Sequence, residues 1–114
     1  MNLKREASIE RQIEKIKHEL AQLGNLRPGS LSTQYNVCGT PNCRCKASPP
    51  EKHGPYYQVS YTRKGRSGTM FVRGKQVARV RQQLKNYTRM RQLVDRWIEA
   101  GAKLSNLRLA EKRG

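Results

Sequence analysis

Cys38–Tyr57, CGTPNCRCKASPPEKHGPYY, holds all three cysteines of the chain, one of its two histidines and four of its five prolines. Cys38, Cys43, Cys45 and His53 have the spacing C-x4-C-x-C-x7-H. Four soft or borderline donors so close in sequence match the ligand count of a closed Cys3His zinc site. Gly39 lets the chain turn straight after the first donor, and Thr40-Pro41-Asn42 presets the bend that returns Cys43. His53 stands just before Gly54-Pro55, where the loop must straighten. Arg44 and Lys46 lie among the ligands and would offset the net negative charge of Zn2+ with three thiolates and a neutral imidazole. Such an ion replaces the core that a loop lacks, with apparent folding energies of ~10–16 kcal/mol in small zinc domains.

Other readings of the same residues stand beside this one. A C-x-C pair on one ion is less common than C-x2-C, and the three thiols could be idle beside a solvated histidine, or one could be a redox or nucleophilic group. A catalytic zinc needs an open coordination position and a nearby general base, and Glu51 is the only acid in the loop. No catalytic residue is therefore expected. His18, between Lys17 and Glu19, reads as solvated.

Outward from the loop, the N-terminal side reads as a helix over Leu3–Leu23. Ile9, Ile13, Ile16, Leu20 and Leu23 step by 4, 3, 4 and 3, a coiled-coil seam, and Gly24, Asn25 and the Pro28-Gly29 turn end it. Residues 30–55 show no usable period and read as the zinc loop. On the C-terminal side, YYQVSYTR (Tyr56–Arg63) alternates, KGRSG (Lys64–Gly68) reads as a turn and TMFVR (Thr69–Arg73) as the return strand. The result is a β-hairpin over residues 56–73. A long basic helix follows over 75–108, with Val77, Val80, Leu84, Tyr87, Met90, Val94 and Trp97 as its stripe, which can extend through Leu104 and Leu107, and a kink or fraying expected at Gly101. The fold class expected is α+β, one small domain over 1–114: helix, zinc-stapled loop, hairpin, long helix. The two seams pair with each other or with a second copy, as a coiled-coil-like pair or dimer.

The 114 residues are 35% hydrophobic, with one Trp and one Phe, too few for a large core. Twenty-four Lys+Arg face eight Asp+Glu, a net charge of +16 and a pI near 10.5. A charge so large calls for a polyanion, and the commonest is nucleic acid. The excess is concentrated: between residues 44 and 91 thirteen cations meet Glu51 alone. The contact residues expected from this run are Arg44, Lys46, Arg63, Lys64, Arg66, Arg73, Lys75, Arg79, Arg81, Lys85 and Arg89. Tyr35, Tyr56, Tyr57 and Tyr61 are candidates for base stacking or phosphate bonds, with sheet packing as the plainer use of Tyr57 and Tyr61. The odd number of cysteines, the absence of a membrane-length apolar run and the charged N-terminus lead to the expectation of a cytoplasmic, nucleoid-associated protein with no membrane partner.

The run GSLSTQYNVCGTPNCRC followed by HGPYY resembles a family of small, functionally uncharacterised bacterial, archaeal and phage proteins. The matching residues are Gly29, Ser30, Leu31, Tyr35, Cys38, Gly39, Pro41, Asn42, Cys43, Cys45, His53, Gly54, Pro55, Tyr56 and Tyr57, and the resemblance covers about residues 29–87. It implies a zinc-binding, nucleic-acid-associated domain, often near mobile elements. The function expected is thus a non-enzymatic, zinc-stabilised nucleic-acid-binding accessory or regulatory protein, with DNA ahead of RNA. The alternatives are an RNA or ribonucleoprotein component, or a protein-interaction module such as a phage-type inhibitor.

Overall fold

Lys64 and Gly65 both adopt positive φ, 50° and 77°. That pair of conformations makes a two-residue type I′ turn, whose twist suits the strands it joins. The turn fixes the register of β2 (His53–Arg63) against β3 (Arg66–Val72), antiparallel, from Arg63 opposite Arg66 to Tyr57 opposite Val72. The turn is shorter than the sequence predicts: Arg66, Ser67 and Gly68 belong to the return strand, and Gly68 lies opposite Tyr61. The computed structural model describes residues 2–36, 40–47 and 52–111.

A third strand, β1 (Ser30–Asn36), pairs antiparallel with β2 and completes a sheet of order β1-β2-β3. The sequence pattern predicts an aperiodic loop here. The reason is chemical: SLSTQYN offers Leu31 as its one aliphatic residue, so a strand with a polar outer face carries no alternation to detect. Gly29, with φ 122°, leads into β1, and a Cβ there would lie 2.6 Å from the Ser60 carbonyl oxygen. Only glycine fits that approach.

The remaining elements are α1 (Asn2–Gln22), single 3-10 turns over Arg44–Lys46 and Gly74–Gln76, and α2 (Val77–Glu111). The chain divides into two compact units, Arg27–Leu84 and Met1–Leu26 with Lys85–Gly114, the division falling within α2.

In the unit Arg27–Leu84, alternation along the strands puts Leu31, Tyr57, Val59, Met70 and Val72 on one face of the sheet. Val59 is fully buried there with Val72, Val77 and Val80, and Leu31, Tyr57 and Leu84 pack around them. The start of α2 therefore covers this face. Arg27 binds it from the other side of the chain: its backbone N–H donates to the Gln83 carbonyl at 3.1 Å and its Nε to Gln83 Oε1 at 3.3 Å. The opposite sheet face carries hydroxyl and amide side chains, among them Ser32, Gln58, Ser60 and Thr69.

The other unit is a helical hairpin. Ile13 packs with Ala100 and Leu104, with Ile9 alongside, and Lys17 lies over the Trp97 ring at 5.3 Å. Nearer the crossover, the Asn86 side chain donates to the Asn25 carbonyl at 2.8 Å. Ascending residues of α1 thus meet descending residues of α2, so the two helices run antiparallel within one chain. The expected seam of α1 is present, but the stripe of α2 differs. Leu104 of the expected stripe is buried, but Leu93 and Ala100 complete its row, and Trp97 stands at the margin at 38% exposure. The helix also runs unbroken through Gly101, because Ala100 and Leu104 on either side are held against α1. Glu6 shares the buried row of α1, 9% exposed, where Arg108 Nε lies 3.4 Å from its Oε1 and the same guanidinium bonds Glu10.

Two substitutions check this hairpin by urea unfolding. Arg108→Ala leaves the Glu6 carboxylate buried without its cation and is expected to destabilise by about 1–3 kcal/mol. Gly101→Ala is expected to stabilise by about 1 kcal/mol, since the added Cβ meets nothing within 4 Å. An unchanged midpoint for the first or a lowered one for the second contradicts the packing described.

Candidate metal centre

His53 opens β2 directly opposite Asn36, the last residue of β1. The register slips between Gln34 and Asn36, an irregularity that bends an edge strand and re-aims what lies beside it. Gly54 makes the slip tolerable: its φ is 144°, and a Cβ there would lie 2.8 Å from both the Gln34 carbonyl oxygen and Tyr35 Cδ1. The imidazole is therefore positioned by a close crossing of two strands.

The thiols arrive from a tight bend. Asn42 takes the left-handed conformation, φ 64°, which asparagine accepts more readily than most residues. Cys43 is extended (φ −70°, ψ 148°) and the chain then winds into one 3-10 turn. Lys46 N–H donates to the Cys43 carbonyl and Ala47 N–H to that of Arg44, both at 3.0 Å. The change from extended to helical backbone between Cys43 and Cys45 lets an i, i+2 pair converge, which answers the difficulty of a C-x-C pair.

The Sγ atoms of Cys43 and Cys45 and a ring nitrogen of His53 all lie within 4.8 Å of one another, with Cys43 Sγ and His53 Nε2 3.1 Å apart. Metal–sulfur bonds of ~2.3 Å and metal–nitrogen bonds of ~2.0 Å at a tetrahedral angle put donor atoms roughly 3.5–3.8 Å apart. The Cys43–His53 pair is closer than that by about 0.4 Å, and the three donors lie close enough to one another to hold a metal ion. Cys45 is buried, 1% exposed, while Cys43 and His53 are half-buried. Cys38, the fourth expected ligand, lies outside the described residues. His18 is exposed on α1.

The cations expected to contact nucleic acid occupy several places. Arg44 and Lys46 flank Cys45 and are exposed. Arg63, Lys64 and Arg66 form the hairpin tip, with Arg63 and Arg66 a register pair. Arg73 precedes the second 3-10 turn and Lys75 lies in it; Arg79 and Arg81 project from the first turns of α2. All of these are exposed. Lys85, also exposed, and Arg89 belong to the helical unit.

Arg89 has a partner that local spacing does not show. It has no acidic neighbour one turn away on its own helix, yet its Nη2 donates to Glu19 Oε2 of α1 at 2.7 Å. This exposed ion pair links the two helices. Of the tyrosines, Tyr57 is half-buried in the core face and Tyr61 lies across Gly68, its hydroxyl 2.7 Å from where a Cβ would stand. Tyr35 and Tyr56 are exposed. Phe71, singled out by no motif, is 74% exposed. Its signal was the register of β3, hidden until the turn was known to be two residues long.

The chain matches the family described as a domain of unknown function (DUF6788) over residues 6–82 and belongs to it. No curated protein and no solved structure matches the chain. No helix among the described residues is long and apolar enough to cross a membrane.

If the three donors hold an ion, Cys45→Ser is expected to remove metal from the purified protein and lower its melting midpoint. Lys46→Ala, one residue away and exposed, is expected to leave metal content unchanged. Elemental analysis with thermal melts, with and without chelator, checks both. Equal metal content and equal midpoints for Cys45→Ser and the wild type contradict the site.

Proposed function

We propose that this member of the family is a zinc-stabilised, strongly basic nucleic-acid-binding protein, with DNA as its polymer and an accessory or regulatory role without catalysis. The observation that carries the reading is the hairpin tip. Arg63 and Arg66 stand directly opposite each other with Lys64 between them in the turn, and among the described residues none of the three has an acidic partner. Like charges paired across strands are destabilising, and a phosphate backbone relieves that repulsion. The unit Arg27–Leu84 contains no acid except Glu51, so the charge has no compensation within that stretch of sequence.

Zinc is the metal this donor set suits, because thiolate and imidazole ligands select it over the hard cations. Cys38 is proposed as the fourth ligand: only Val37 separates it in sequence from Asn36, the register partner of His53. With Cys3His the coordination is closed, so the ion supports structure and leaves no position for a substrate. A phage or mobile-element setting and a place on the nucleoid are consistent with the resemblance and the charge.

Binding of labelled duplex DNA, single strands and folded RNA across 50–200 mM salt tests the reading. Affinity for DNA is expected to fall roughly 100-fold over that range if about four phosphates are contacted. Replacing Arg63, Lys64 and Arg66 by alanine should reduce the salt slope by roughly 2–3. Salt-insensitive binding overturns the electrostatic reading. A preference for folded RNA favours a ribonucleoprotein role, and a protein partner retained after nuclease treatment favours an interaction module.

A further inference from the structure

The face of the sheet turned away from α2 has an unusual composition. Ser32, Gln58, Ser60 and Thr69 give it hydrogen-bonding groups, and among them stand two aromatic rings, Phe71 at 74% and Tyr56 at 42% exposure. Phe71 lies opposite Gln58, and Tyr56 is two residues earlier on β2, so the rings share one face as diagonal neighbours. A shallow cavity of about 380 Å³ at this end of the sheet is bounded by both rings and Arg73, and by Tyr57 and Val72 of the other face, a size in the range of small-ligand sites.

We infer that this face is a platform for single-stranded DNA, with Phe71 and Tyr56 stacking on unpaired bases and Arg73 meeting the adjoining phosphate; the inference rests on the nucleic-acid reading above. Phe71 has no polar atom with which to bind phosphate, so its use is its ring face. In a duplex both faces of an interior base are already stacked, and a ring on a sheet can reach only a base that is unpaired. An apolar protein partner would require an apolar patch larger than two rings, whereas here the rings are bordered by the amide of Gln58 and the hydroxyls of Ser32, Ser60 and Thr69, groups suited to base edges. The neighbourhood is basic, Glu51 being the only acid from Arg27 to Leu84, which favours a polyanion as occupant.

Fluorescence anisotropy of the full chain at ~150 mM salt, with labelled oligothymidine of twelve nucleotides, a twelve-base-pair duplex and oligouridine, tests the proposal. Phe71→Ala is expected to weaken oligothymidine binding ~10-fold or more and duplex binding less than about 2-fold. Phe71→Trp should restore the single-strand affinity, and Tyr56→Ala should weaken it in the same direction. Unchanged melting of Phe71→Ala is expected, since the side chain is exposed. Equal oligothymidine affinity for Phe71→Ala and the wild type overturns the platform while leaving the nucleic-acid reading in place. So does a change in sedimentation without a change in binding, which would mark the face as a self-association surface. Tighter, Phe71-dependent binding of oligouridine overturns the assignment to DNA. A wild-type protein that binds none of the three overturns the nucleic-acid reading itself.

Discussion

The crossing of β1 and β2 at Asn36 and His53 is the constraint on which the rest of the sheet unit depends. There the register slips, Gly54 passes within van der Waals reach of Gln34 and Tyr35, and the imidazole meets the two thiols of the Cys43–Cys45 turn. The core behind it is small: Val59 and three other valines are its buried members. A core of that size contributes little against the entropy of ordering a loop rich in proline, glycine and charge. A shared ion would join the loop to the strand without further apolar burial, which is the use the proposed reading gives to these donors.

From that corner the strand β2 leads to the hairpin tip, and the physical logic changes from burial to charge. One face of the sheet is committed to α2 through Val59, Val77 and Val80. The other is left polar, with its rings exposed, and the tip gathers three cations in four residues. Neither the open face nor the tip is explained by stability: like charges face each other across the strands, and a phenyl ring stands in solvent. Both are the surfaces that the proposed nucleic-acid reading puts to use. The helical unit follows the opposite rule, since Arg89 and Arg108 are paired with Glu19, Glu6 and Glu10.

Much of this arrangement was legible in the sequence. The Ile9–Ile13–Ile16 spacing located α1, the alternation in YYQVSYTR located β2, and the clustering of cysteines pointed to donors that the fold does bring together. The failures share one cause, which is that the decisive partner lies far away in sequence. β1 is a strand because β2 supplies its hydrogen bonds, not because SLSTQYN alternates. Leu93 rather than Trp97 lies at the centre of the α2 row because α1 selects which side of a broad apolar stripe to cover. Glu6 is buried because Arg108, at the other end of the chain, accompanies it. Phe71 is exposed because a two-residue turn sets its register.

X-ray absorption at the zinc edge, on the full chain purified without added metal, tests most directly whether a Cys/His centre braces this sheet. Bound zinc in a shell of about three sulfurs at ~2.3 Å and one nitrogen at ~2.0–2.1 Å is the result expected. Zinc surrounded by oxygen and nitrogen alone, or a protein that folds with no metal at all, would contradict it.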